Sequence, residues 1–290
     1  MKKITITGVP EHFNFPWRKV VAAQPFEKDG ILLQWTDESR GSGQMNKALR
    51  NDETDIALVL TESFLQDFEN GNPAKIIGYH VVSPLIWGIH IHGNSSINHL
   101  SEIKQPNFLI SRMGSGSHLM SFVLAKKENW NIGNINFKII GNLPGALESM
   151  DPQVPELFLW EKYTTKPWVD SGEMKRIGEV PSPWPCFVMV ASDKAIAEFG
   201  ETIFKLRDLV YEESNKLQHG EASVGEISVN YELNVQDVSE WLSQTEWATT
   251  PEISRAQLMR SMHTMKELGI LKEQLQPEKF LSSAHLSITG

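Results

Sequence analysis

The chain has 290 residues, 40% hydrophobic and 22% charged, with 36 Asp and Glu against 27 Lys and Arg and a formal net charge of −9. Length and composition fit two globular domains with enough apolar material for a real core. The acidity, with no Lys/Arg cluster, no zinc-finger spacing and no N-terminal helix-turn-helix pattern, argues against a nucleic-acid partner. No apolar run approaches the ~18 residues needed for insertion into a membrane.

In chain order, Ile4-Thr5-Ile6-Thr7-Gly8 alternates as a strand does. Met1-Lys2-Lys3 is not followed by the apolar stretch of a secretory signal, so the chain as it stands is expected in the cytoplasm, or in the periplasm if it has been trimmed. A loop through Pro10 and Phe15 leads to a helix near Trp17 to Ala23, and Ile31 to Thr36 is a second strand. Gly41-Ser42-Gly43 precedes a helix whose inner face is Met45, Ala48 and Leu49. Asp55 to Leu60 is a continuous apolar run, as in a strand covered on both faces of a parallel sheet. Lys75 to Ile91 gives two strand-like runs broken by Ser83-Pro84. The pattern then restarts: strand Phe108 to Ser111, turn Gly114-Ser115-Gly116-Ser117, helix His118 to Lys127, strand Phe137 to Gly141, short helix Pro144 to Met150, strand Leu157 to Trp160. After the strand Phe187 to Ala191 the chain turns helical, over Ala195 to Leu217, Val235 to Leu242 and Ser254 to Leu268, with Gly269 as the stop. Strands alternating with helices predict two doubly wound α/β domains and a helical C-terminal tail. The expected division is 1–84 with 187–290 for one domain and 85–186 for the other. The lone Cys186, between Trp184-Pro185 and Phe187-Val188, reads as a buried, inert thiol.

Ligands of open α/β sheets sit beyond the carboxyl ends of the strands. That rule selects the loops 9–17, 37–45, 61–64 and 112–118. Gly41-Ser42-Gly43-Gln44 and Gly114-Ser115-Gly116-Ser117 are glycine-serine turns before helices, expected in equivalent places of the two domains. Such turns bring backbone N–H groups close to an anion, although a turn of this kind is commonly only a helix cap. Phe13, Trp35 and Trp160 lie at strand ends where a planar molecule could stack, and equally where an aromatic ring closes a core. Glu11, Glu38, Thr61, Glu62 and Glu161 would suit a ligand with N–H donors. His12 and His118 stand in the same loops as ligand contacts or general bases. His90-Ile91-His92 points two imidazoles one way, but no third ligand follows, so neither a metal site nor a cofactor is expected. No nucleophile elbow, Walker A or dinucleotide motif occurs.

The run Gly41-Ser42-Gly43 through Asp55-Ile56-Ala57, the turn Ser111 to Ser117, the triplet Leu159-Trp160-Glu161 and the stretch Asp237 to Leu271 resemble the type II periplasmic-binding-protein-like family. The similarity is to its substrate-binding proteins for nitrate, sulfonates and thiamine-pyrimidine precursors. The resemblance implies two α/β domains joined by two crossovers, near Ser83 to Ile91 and Trp184 to Val190, with a hinge and a ligand cleft between them. It implies a small planar or anionic organic ligand, and an ABC permease as partner if the protein is exported. The single cysteine departs from the cysteine-rich motif of the fungal thiamine-pyrimidine synthase of this fold, and that activity is not carried over. The alternative is a cytoplasmic enzyme of cofactor biosynthesis on the same fold, with His12, His118, Glu11 or Glu161 as acid or base.

Overall fold

Five consecutive buried apolar residues, Ile56 to Leu60, form the middle of the first sheet. The computed structural model describes residues 1–290. It divides the chain into one unit made of Met1–Ser83 with Trp184–Gly290 and another made of Pro84–Pro183. The first unit opens with β1 (Lys2–Gly8), α1 (Phe15–Ala23), β2 (Ile31–Asp37), α2 (Ser42–Arg50), β3 (Ile56–Leu60), α3 (Thr61–Glu69) and β4 (Lys75–Val81). The second contains β5 (Ile86–His92), β6 (Asn107–Ile110), α4 (Gly116–Lys127), β7 (Asn136–Ile139), α5 (Leu143–Ser149), β8 (Glu156–Glu161), α6 (Lys166–Asp170) and β9 (Met174–Pro181). The chain then rejoins the first unit as β10 (Phe187–Ala191), α7 (Asp193–Phe199), α8 (Glu201–His219), α9 (Ser223–Tyr231) and α10 (Val235–Gln244). It ends with β11 (Glu252–Ser254), α11 (Arg255–Glu267), α12 (Pro277–Phe280) and β12 (Ser287–Thr289).

The sheets have orders β2-β1-β3-β10-β4 and β7-β6-β8-β5-β9. The alternating pattern predicts parallel strands, and one strand in each sheet departs from it. β10 runs antiparallel to β3 and β4, and β5 runs antiparallel to β8 and β9. The reversed strands are the two that the chain enters from the other sheet: β5 follows β4 after residues 82–85 and β10 follows β9 after residues 182–186, so neither is reached by a parallel crossover within its own sheet. The expected helix over Ala195 to Leu217 is broken at Gly200 into α7 and α8. The elements α3, α6, β9, α9, β11, α12 and β12 have no counterpart in the sequence reading.

In the first unit Ile4, Ile6, Trp17, Met45, Leu49 and Phe64 are fully buried around the sheet. Its outer edges are blunted. The Gln24 side chain donates from Nε2 to the carbonyl of Leu33 (2.8 Å) and accepts from the Leu33 N–H at Oε1 (2.9 Å), as a neighbouring strand would. Beside β4, isolated bridges Ile76–Leu281 and Val81–Trp247 bring in the C-terminal segments. The second unit packs Leu109, Phe158 and Met174 against Leu143, Ala146 and Met150 of the α5 region. No helix is long and apolar enough to cross a membrane.

Candidate functional site

The carboxyl end of β3 gathers one group of residues in the first unit. Gly41 precedes α2 with φ 80°, a conformation that favours glycine. Ser42 is buried, and its Oγ accepts from the Leu60 N–H (2.9 Å), tying the glycine turn to the end of β3. Gly43 and Gln44 follow in the first turn, half-buried. Thr61 opens α3. Its hydroxyl donates to the Pro185 carbonyl (2.6 Å) and its N–H to the Cys186 carbonyl (3.0 Å). Glu62, next along, has no solvent exposure. Its Oε2 accepts from the Trp184 indole N–H (2.7 Å), while Oε1 is buried without a hydrogen-bond partner. Burial pushes this carboxyl up to about 7, opposed by its hydrogen bonds to its own backbone and to Trp184.

The loop after β1 is different. Glu11 stands half-buried at the start of a short helical turn, but His12 and Phe13 are core groups. His12 stacks on Phe13 (5.2 Å) and meets Trp241 edge-on (4.2 Å). Burial lowers its pKa to about 3, so at neutral pH it is an uncharged ring. Phe13 packs on Phe187 (5.3 Å), and its carbonyl accepts from Trp247 Nε1 (2.8 Å) and His80 Nε2 (2.9 Å). Trp35 is engaged within its own unit. Its indole donates to Asp37 (2.9 Å), Arg18 lies over its ring (5.2 Å), and its edge closes against Gly8, where a Cβ would come within 2.5 Å.

In the second unit, β6 ends in a turn that holds itself. Gly114 has φ 76°. Ser115 caps α4, its Oγ accepting from the His118 N–H (3.4 Å), and Ser117 Oγ accepts from the Ser111 N–H (3.1 Å). The two hydroxyls lie 3.0 Å apart, so both face into the turn, and Gly116 is the first helical residue. The His118 Nδ1 accepts from the Gly114 N–H (3.1 Å), which leaves its proton on Nε2. Its ring meets Phe122 (4.9 Å) and Phe137 (4.8 Å) edge-on, and burial lowers its pKa. Glu161 ends β8 and accepts from the Tyr163 N–H (3.0 Å), the Thr164 N–H (2.6 Å) and the Thr164 hydroxyl (2.8 Å). Burial raises this carboxyl, and these hydrogen bonds oppose the shift. Trp160 is half-buried and stacked on Phe158 (5.3 Å). Both nitrogens of His90 have partners, the Phe158 carbonyl (3.2 Å) and Thr165 Oγ1 (2.9 Å), so it is committed to the fold.

Strand order corrects the expected equivalence of the two glycine-serine turns. By position in its sheet β6 corresponds to β1, and β7 to β2. The turn before α4 therefore corresponds to the aromatic loop after β1, and the turn before α2 to the Asn142 turn before α5. Sequence spacing alone carries no strand order. Trp184, the partner of Glu62, is absent from the sequence-derived set. Its one signal is the Pro183-Trp184-Pro185 run, which marks a constrained connection but not what it touches.

No curated protein sequence matches the chain. Residues 87–180 match the sequence model of the family described as Ca3427-like PBP. The structure of the Candida albicans CA3427 gene product is described as defining a family with the generic periplasmic binding protein fold. It superposes with a TM-score of 0.84 at 25% identity, over 100% of this chain and 96% of that one. This chain has the type II periplasmic-binding-protein fold. Two further structures with the binding-protein fold are similar. The zinc-bound ligand-binding component of a Staphylococcus aureus ABC-type import system has a TM-score of 0.77 at 13% identity, covering 98% of each chain. The alkanesulfonate-binding protein SsuA of Xanthomonas axonopodis pv. citri, bound to MOPS, has 0.75 at 12%, covering 100% of this chain and 99% of that one.

Within the binding-protein fold the chemistry on offer at the strand ends is that of recognition. Glycines with positive φ stand at the starts of α2 and α4, where first-turn N–H groups have no helical acceptor and the helix dipole favours negative charge. His118, beside Gly114, is engaged with the Phe122 and Phe137 rings, and burial lowers its pKa.

Proposed function

We propose that the chain is a solute-binding-like protein that holds a small organic molecule, planar or anionic, at the loops that follow the carboxyl ends of its strands. The observation that supports this most is the placement of Gly41 and Gly114. Each has positive φ at the start of a helix that directly follows a strand, one in each unit. The alkanesulfonate named for the Xanthomonas neighbour makes sulfonates the first class to try.

Thermal melting against sulfonates, nitrate, aminopyrimidines, thiamine and aromatic carboxylates tests the reading. A ligand at a hundred times its Kd adds about 2.7 kcal/mol, a rise of roughly 5–10 °C for a chain of this size. The rise should occur with one anionic or planar class and shrink in Gly114→Val, whose side chain is strained at that φ. Flat melts across the whole panel would sink the proposal.

A further inference from the structure

The segment that returns from the second unit, Trp184 to Cys186, is fastened to the start of α3 at three points. These are the Thr61 hydroxyl on the Pro185 carbonyl, the Thr61 N–H on the Cys186 carbonyl, and the Trp184 indole on Glu62. The Cys186 N–H also donates to the Ser83 carbonyl (3.2 Å), which joins the outgoing and returning segments. Two of the fastenings are neutral at every physiological pH. The third is a carboxyl with donors in the Trp184 indole and its own backbone, one bare buried oxygen and no cation to balance it.

The surroundings of that carboxyl are uncharged. β3 contributes only apolar residues. α2 contributes Asn46, whose amide donates to the carbonyl and hydroxyl of Ser63. The cations of α2 point elsewhere: Lys47 is exposed, and Arg50 pairs with Asp67. The other acids of α3 are also engaged away from Glu62. Asp67 accepts from Asn72, and Glu69 accepts from the backbone of Lys272. The titratable group on the returning segment is Cys186, a buried thiol. A carboxylic acid fits such a place, whereas a carboxylate without a counter-charge is expelled toward water.

We propose that Glu62 and Trp184 form a proton-dependent clasp, in which the protonated Glu62 helps to hold the returning segment to α3 and loss of the proton loosens it. Loosening breaks the indole bond and leaves Pro185 and Cys186 held to α3 by the two Thr61 bonds, beside the Gly41-Ser42 turn, which Ser42 ties to the same end of β3. The balance is one proton lost to solvent from the Glu62 carboxyl. The rise in its pKa through burial is in the same direction.

The experiment uses the full chain without ligand. Carbon-detected NMR of the side-chain carboxyls follows Glu62, assigned by its absence in Glu62→Gln. Amide exchange at Thr61 and Cys186 is measured from pH 5 to 9 and corrected for the intrinsic pH dependence. Glu62 should titrate well above the other glutamates. Exchange at both amides should accelerate at least tenfold across that titration, and Glu62→Gln, which keeps the shape and an indole acceptor, should abolish the acceleration. A Glu62 that titrates with the exposed glutamates would overturn the clasp. So would a wild-type exchange profile unchanged in Glu62→Gln. If the variant fails to fold, Glu62 is assigned through its own backbone resonances in the wild type, and the wild-type titration still decides.

Discussion

The middle strand of each sheet ends beside a buried carboxyl, and the two carboxyls are treated differently. At the end of β8, Glu161 accepts three hydrogen bonds from the turn it starts. Just past the end of β3, Glu62 accepts from an indole and from its own backbone and leaves an oxygen bare. Burial raises both carboxyls, and Glu161 has the larger set of opposing groups, its three turn donors and the charge of Lys162, each of which favours the charged form. Corresponding strand ends thus carry a carboxyl that anchors a turn in one unit and a carboxyl poor in donors in the other. The loops after β1 and β6 divide in the same way. The first is held from outside by rings of distant helices, the second by its own serines.

The largest effect expected from this contrast is at Trp241. Its side chain is fully buried and touches His12, Phe13 and Trp247. Trp241→Ala should cost about 3–5 kcal/mol, read as a lowered midpoint in urea unfolding. It should also expose the loop after β1 to exchange while leaving the Ser115 turn protected. Equal loss of protection in both loops would show that the two are not held independently.

The next effect is pH-dependent. Glu62 moves from an ordinary 4.5 to about 7 on folding. A group whose pKa is raised by folding stabilises fully below its unfolded value, and that stability is lost as pH rises through the folded one. Between pH 4.5 and 7 the wild type should therefore lose most of about 3 kcal/mol that Glu62→Gln keeps. Four histidines act with the opposite sign. His12 and His80 fall to about 3, His90 to about 4, and His118 is lowered too, because burial disfavours their charged forms. Their stability is full above 6.5 and drains as pH falls toward those values. The two windows overlap between pH 4.5 and 6.5, where the several histidines outweigh the one carboxyl, so the wild type should gain stability up to about pH 6.5, and Glu62→Gln should gain it more steeply because the opposing loss is gone. Melting temperatures of both proteins from pH 4 to 9 check the difference in slope.

A smaller loss follows from stripping the satisfied carboxyl. Glu161→Ala leaves the N–H groups of Tyr163 and Thr164 without their acceptor, at about 1–3 kcal/mol. Because burial raises Glu161 as well, Glu161→Ala should also remove some of the stability that is lost with rising pH, while the difference made by Glu62→Gln should persist in the double variant. If Glu62→Gln made no further difference in the Glu161→Ala background, the stored proton would not belong to Glu62.

What the sequence disclosed, and what it withheld, follows the range of the interactions. The run Ile56 to Leu60 declares a buried central strand because every position meets a covered face, and Gly41, Gly114 and Gly269 mark turns because their backbone needs are local. The reversal of β5 and β10 depends on which sheet each short connection enters, and no local pattern encodes that. His12 and Phe13 look like open loop residues in the sequence. Their burial depends on Trp241 and Trp247, more than two hundred residues further along the chain. The Glu62 site was half legible. The carboxylate could be picked out as a residue following a central strand, but its partner Trp184 reaches it only through the fold.

The smallest effect belongs to the two serines that looked alike. Ser115→Ala removes a cap whose hydroxyl receives a long bond of 3.4 Å from His118, with Ser117 Oγ 3.0 Å away and able to turn toward the vacated place. A cost of about 1 kcal/mol is expected, the usual loss for a serine cap. Ser42→Ala removes the acceptor of a buried strand N–H, Leu60, at 2.9 Å, and should cost somewhat more, about 1–3 kcal/mol, because no other hydroxyl stands ready. Ser→Thr at either position separates lost bonding from lost space, since it keeps the oxygen. A Ser115→Ala loss as large as that of Ser42→Ala in the same urea titration would mean that the turn before α4 depends on this single cap. The contrast between a self-supporting loop and an externally held one would then fail at its weakest point.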